Sequence, residues 1–151
     1  MAQMQEDNSN PAVQRLKRVA VIGCGSHGAQ IAVRLSLSGN LVTVIDKESD
    51  SFSVLPSELI ENSRVVISVG DGTKESSLRQ AGVQDVDLFI AATGNPSVNL
   101  MSGQLARHIM RIPEVICLVD DSELISLYEG LGIKVINPDA LLIDVIGVSV
   151  D

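Results

Sequence analysis

The sequence predicts an α/β fold built on a doubly wound parallel sheet of six strands, and three observations predict it. From Lys17 onward, short runs rich in Val and Ile alternate with helix-patterned stretches, the order produced by a parallel sheet with covering helices. A glycine-rich turn, Gly23-Cys24-Gly25-Ser26-His27-Gly28, lies directly after the first run and directly before the first helical pattern. The core must be assembled from Val, Ile, Leu and Ala, because the chain holds one Tyr, two Phe and no Trp. A sheet buried on both faces suits that supply. Short links of the usual hand then give a Rossmann-like sheet with strand order 3-2-1-4-5-6.

Strands are expected at Val19 to Ile22, Val42 to Ile45, Val65 to Val69, Leu88 to Ala91, Val115 to Val119 and Lys134 to Ile136. Each is short and bounded by Gly, Asp, Asn or Pro. The first helix is expected over Ala29 to Leu37, with Ile31 and Leu35 on one face, small Ala29 and Ala32 against the sheet, and Gly39 ending it. Between Ser49 and Asn62, Pro56 and a run of serines leave room for only a turn or two of helix. Asn95-Pro96 opens the next clear helix, with Asn as cap and Pro in the first helical position. Its expected buried face is Val98, Met101, Leu105 and Ile109, with Arg107, His108 and Arg111 at its negative end. Asp120 or Asp121 caps another, whose face is Leu124, Leu127, Tyr128 and Leu131.

The chain is long enough for one domain with a real core. Residues 1–16 read as a disordered lead-in, without the basic-then-apolar order of a signal peptide, and residues 17–151 as a single domain. No stretch approaches the roughly 18 to 20 apolar residues of a membrane-spanning helix, so direct insertion is not expected. A formal charge of −8 argues against a nucleic-acid partner. It does not exclude one bound nucleotide, because backbone N–H groups hold phosphates without basic side chains. Cys24 and Cys117 form neither a disulfide framework nor a CxxC metal site, which suits a reducing cytoplasm. Both read as small buried hydrophobes, although a helix N-terminus beside Cys24 could lower its thiol pKa.

The chemistry lies in the turn. Gly23 permits its tightness, Gly25 lets phosphates approach the backbone, and Gly28 brings helix and strand together. Asp46, eighteen residues after Gly28 at the end of the second strand, can accept both ribose hydroxyls of an adenosine and repel a 2′-phosphate. NAD or an adenine nucleotide is therefore favoured over NADP, an argument that adjacent Lys47 softens. Two further loops follow strands at the end where open parallel sheets bind ligands. Gly70-Asp71-Gly72-Thr73 would lie near the adenine, and Ala92-Thr93-Gly94-Asn95 near the phosphates; either also reads as a plain strand-to-helix turn. His27 could act as acid, base or phosphate contact, or simply stand exposed on the first helical turn.

With these pieces placed, the chain resembles the nucleotide-binding N-terminal regulatory domain (TrkA-N, also RCK or KTN) of Trk/Ktr potassium uptake systems and RCK-gated potassium channels. The matching stretches are VIGCGSHG, VIDKE, VGDGTKESSLRQAGV, DLFIAATGNPSVNL and LGIKVINPD. The resemblance implies a dimeric, cytoplasmic, non-enzymatic switch that binds NAD(H) or ATP, ADP or AMP and passes a shape change to a membrane channel. It implies that the glycine turn, from Gly23 through Cys24, Ser26 and His27 to Gly28, holds phosphates, Asp46 the ribose, and Asp71, Gly72 and Thr73 the adenine edge. It places Thr93 and Asn99, beside Ala92 and Gly94, on the phosphate or nicotinamide side. Many ATP-responsive members of that family carry Arg directly after the second glycine. Here that residue is Ser26, which leans the expectation towards NAD(H), ADP or AMP.

The segment PDALLIDVIGVSV is apolar nearly all round, with only Asp139 and Asp144 interrupting it. A helix of that kind has to be buried, in its own chain or against another copy. The resemblance implies the latter, a crossing helix that makes a homodimer or higher homo-oligomer. The leading expectation is a nucleotide-sensing regulatory subunit, possibly of a potassium transport system. The alternatives are a small NAD-dependent dehydrogenase, or the cofactor half of one, and a degenerate fold acting through dimerisation alone.

Overall fold

Val and Ile dominate the strands because a parallel strand is covered on both faces. The strands are β1 (Arg18–Ile22), β2 (Leu41–Asp46), β3 (Val65–Val69), β4 (Leu88–Ala91), β5 (Glu114–Leu118) and β6 (Lys134–Ile136). In a computed structural model that describes residues 16–138, they form one sheet ordered β3-β2-β1-β4-β5-β6. Every pairing is parallel; Val19, for example, stands between Val42 of β2 and Leu88 of β4. The expected strands agree to within a residue or so at each end. The expected lead-in falls almost wholly on residues 1–15, and the expected last helix on residues 139–148, both outside the described residues.

The helices are α1 (Ser26–Leu37), α2 (Ser57–Glu61), α3 (Glu75–Gln80), α4 (Pro96–Gln104) and α5 (Ser122–Glu129). A 3₁₀ segment at Ser49–Val54 precedes α2, so the Pro56 region holds the short helical pieces its composition allows. Gly39 ends α1 with φ of 98°. There the Asn40 N–H donates to the Leu35 carbonyl and the Gly39 N–H to the Ser36 carbonyl, both at 3.1 Å, the paired bonds of a Schellman motif. Among the described residues, no helix is long and apolar enough to cross a membrane.

Two cores lie on the two faces of the sheet. One packs Val19, Val21, Val42 and Val44 with Ala29 and Ala32 of α1 and with Phe52, Leu55 and Leu59. The other packs Ala20, Ile22, Ile45 and Phe89 with Leu78 of α3, Leu100 of α4 and Met110.

The orientation of α4 differs from the expectation. Met101 and Ile109 are exposed, and the inward positions belong to Leu100, Ser102, Gly103 and Ala106. The reason is that the smallest residues bring the helix onto the sheet. A Cβ on Gly103 would collide with the Cys117 Sγ and stand 3.6 Å from Val115 Cγ1. Past Gln104 the helix widens into a π-helical turn, Leu105–Ile109, in which the Met110 N–H donates to the Leu105 carbonyl at 2.9 Å. That extra residue per turn rotates Ile109 outward. In α5, Leu124, Ile125 and Tyr128 pack against the core while Leu127, and Leu131 in the turn that follows, face outward; Ile125 takes the place expected for Leu127.

Candidate functional site

The carboxyl ends of β1 to β4 open onto a cleft of about 350 Å³. Gly23 and Gly25 form one wall, and residues 45–48, 70–72 and 93–95 form the others. All four loops singled out from the sequence thus meet at one place, where strand order reverses between β1 and β4.

The glycine turn is shaped by contacts that allow no side chain. A Cβ on Gly28 would overlap the Gly23 carbonyl oxygen, and one on Gly23, at φ of 98°, would stand 2.9 Å from the Thr93 Cα. Helix α1 therefore begins inside the motif, three residues before the expected Ala29. Its N-cap is Gly25, which offers no side-chain acceptor, and its first turn carries no acidic residue. The first N–H groups and the positive end of the helix dipole are left to solvent or an anion.

Asp46 leaves β2 beside this turn. Its Oδ2 accepts from the Cys24 N–H and its Oδ1 from the Glu48 N–H, both at 2.8 Å. One carboxylate thus ties the loop after β2 to the glycine turn, with lone pairs remaining for further donors. Lys47 Nζ lies 3.8 Å from Asp71 Oδ2, spanning the tips of the β2 and β3 loops.

Asp71 orders its own loop. Its Oδ1 accepts from the Thr73 hydroxyl at 2.6 Å and the Thr73 N–H at 2.9 Å. These bonds hold the Asp71 carboxyl below its ordinary value of 3.8, with Lys47 and Lys74 adding to the effect. Gly72 is packed so closely that a Cβ there would stand 2.5 Å from Ile22 Cγ2.

The loop after β4 is locked from behind. Asn99 is buried, with its Oδ1 accepting from the Thr93 N–H at 2.9 Å and the Thr93 hydroxyl at 2.6 Å. Its Nδ2 donates to the Thr93 carbonyl at 3.0 Å and the Leu118 carbonyl at 2.7 Å. Asn99 therefore supports the loop from behind and lines the recess beside His27, and Thr93, Gly94 and Asn95 are what the loop presents to the cleft. Ala92 is buried and donates its N–H to the Ile22 carbonyl at 2.8 Å, closing the sheet beneath. His27 is exposed and borders a separate recess of about 130 Å³ with Thr93, Gly94 and Asp120. Ser26 faces a shallower, mainly apolar groove between α1 and the segment around Val54 and Pro56.

The Cys24 thiol runs against the low-pKa option. Burial pushes it up, and the Asp46 carboxylate pushes it further. Burial likewise pushes Cys117 up to about 12. The sequence did not assign Glu48, Ser51 or Val98 to the cleft, which they also border. Glu48, two residues after an Asp that can accept its N–H in an Asx turn, is the one with a readable signal.

Fold and site together define a Rossmann-like domain with an uncapped helix N-terminus and a carboxylate beside it, at the carboxyl end of the sheet. The chain belongs to the TrkA-N domain family, whose model matches residues 19–138. A curated relative, Trk system potassium uptake protein TrkA homolog 2 of Methanosarcina mazei, is 31% identical over 135 residues. The match covers 89% of this chain and 29% of that protein; this chain is therefore much shorter than that relative. The TrkA-N domain of the inner membrane protein ybaL from Escherichia coli superposes with a TM-score of 0.75 at 16% identity, covering 92% of this chain and all of that one. The Kef C-terminal domain of Shewanella denitrificans, solved in an AMP-bound form, gives 0.63 at 20% identity, covering 82% of this chain and 74% of that one.

Proposed function

We propose that this chain is a nucleotide-sensing regulatory domain that serves a potassium transport system and acts by ligand-dependent change of shape rather than by chemistry. The observation that carries the reading is the uncapped first turn of α1 facing Asp46 across one cleft, in a chain of the TrkA-N family. Phosphates cap α1, the Asp46 carboxylate receives the ribose hydroxyls, and the Asp71–Thr73 loop flanks the adenine. Among the side chains bordering the cleft, Lys47 is the single cation, and it stands at the ribose end. A triphosphate gains little there, which favours NAD(H), ADP or AMP over ATP. The polar groups nearest the phosphate end, on Thr93 and Asn99, bond to one another, an arrangement for holding a loop still. The regulated partner is a membrane potassium transport subunit at the cytoplasmic face. The apolar run from Leu141 to Val148 supplies a surface for a second copy. A difference in nucleotide affinity between two arrangements of the copies then provides the switch.

Calorimetric titration with NAD⁺, NADH, NADPH, AMP, ADP and ATP, after stripping carried-over ligand, tests this. Binding that discriminates against NADPH and is lost in Asp46→Ala and Gly25→Val supports the site. Nothing stands within 4 Å of where a Cβ on Gly25 would lie, so Gly25→Val should fold and fill only ligand space. No binding to any of the six sinks the proposal.

A further inference from the structure

Strand β3 is an edge of the sheet, paired on one side only, with β2. The Val42 N–H donates to the Arg64 carbonyl and the Gly70 N–H to the Asp46 carbonyl, each at 3.0 Å. By the alternation of a strand, the even-numbered residues from 64 to 70 bond to β2. The N–H and C=O groups of Val65, Ile67 and Val69 point away from the sheet. The elements beside β3 are short, five residues in α2 and six in α3, and leave apolar side chains uncovered on both faces. Val66 is 50% exposed, Ile67 40% and Val69 62%.

Sheets usually blunt such an edge with Lys, Pro or a bulge. Here Val65–Val69 carries no charge and no proline, and its register with β2 runs unbroken from Val65 to Val69.

We propose that β3 is an interface for a second copy of this chain, two β3 edges pairing antiparallel about a two-fold axis at Ile67. The register follows from the outward groups. Ile67 meets Ile67 of the second copy and Val65 meets Val69, the three pairs that exchange both backbone bonds, for about six in all. Between them Val66 stands opposite Ser68, so no like charges meet along the seam. At each end Arg64 comes opposite Gly70, one residue from the Asp71 carboxylate of the other copy, so that opposite charges lie together twice over. The inference does not rest on the nucleotide reading.

Sedimentation velocity of the full chain over a range of concentrations, compared with Ile67→Lys and Val69→Lys, tests the pairing. Both positions are exposed enough to take Lys without loss of fold, which circular dichroism checks. Ile67→Lys sets two ammonium groups facing each other at the axis. It should remove one step of association, halving the mass reached by the parent, and Val69→Lys should weaken the same step. Amide hydrogen exchange at Val65, Ile67 and Val69 should slow as the parent is concentrated and stay fast in Ile67→Lys. A parent that remains monomeric overturns the proposal, and so does a strand-supplying partner of another kind being needed to protect those amides. Association that Ile67→Lys leaves intact also overturns it.

Discussion

Two helices point their N-termini at the same cleft, and they finish those ends in opposite ways. At α4, Asn95 caps with its own side chain, accepting from the N–H groups of Ser97 and Val98 at 3.0 and 3.3 Å, and Pro96 removes a further donor. At α1 the cap is Gly25, with no side-chain acceptor and no acid in the first turn. The loop before α4 is also held by the buried Asn99 amide, whereas the turn before α1 is held by close backbone packing, by the Gly23 N–H on the Ile45 carbonyl and by Asp46. The difference separates support from reception. One helix end is satisfied within the chain and fixes a wall, and the other is left with donors of the kind that suit an anion.

The comparison can be broken most severely at its backbone contact. Gly28→Val drives a side chain into the Gly23 carbonyl and should cost more than about 4 kcal/mol or prevent folding, as denaturant unfolding would show. Next comes the support side. Asn99→Ala strands the Thr93 N–H and Leu118 carbonyl in a buried place and should cost about 2–4 kcal/mol, with nucleotide affinity falling because Thr93 and Gly94 lose their position.

A smaller and more discriminating pair sits at the two caps. Asn95→Ala should cost about 1 kcal/mol of stability and leave binding nearly unchanged. Ser26→Asp, by supplying a charge to the α1 dipole, should add about 0.3–1 kcal/mol to stability while weakening phosphate binding by tenfold or more. If Ser26→Asp binds nucleotide like the parent, α1 is not the phosphate seat.

The smallest effect concerns pH. Because the Thr73 hydroxyl and N–H hold the Asp71 carboxyl below 3.8 in the folded chain, its contribution is complete above 3.8 and is lost as pH falls through the folded value. Asp71→Asn should flatten that part of an acid titration of melting temperature and leave the neutral range little altered.

Much of this arrangement is legible in the amino-acid sequence alone. Strand order, the Asn95 cap and the meeting of four loops follow from period, turn residues and the right-handed crossover, all local signals. The buried face of α4 was not legible, because hydrophobicity selects Met101 and Ile109 whereas close approach selects Gly103 and Ala106. A π-helical turn then shifts the later positions in a way no period of 3.6 anticipates. Asn99 was noticed as a polar residue near the cleft, but its inward role depends on the Leu118 carbonyl, nineteen residues away. The family resemblance suggested it as a ligand contact. The geometry gives it bonds that hold Thr93 and the Leu118 carbonyl, and it also lines the recess beside His27.

The carboxylate of Asp46 has one more consequence. Since it already bridges the Cys24 and Glu48 amides, the receptor is assembled before any guest arrives. Association should then resemble the docking of rigid bodies, with its rate set by encounter and orientation rather than by rearrangement of the pocket. On the proposed reading, a slow phase after mixing with nucleotide reports motion between copies of the chain, so that recognition and signalling can be read apart in one stopped-flow trace.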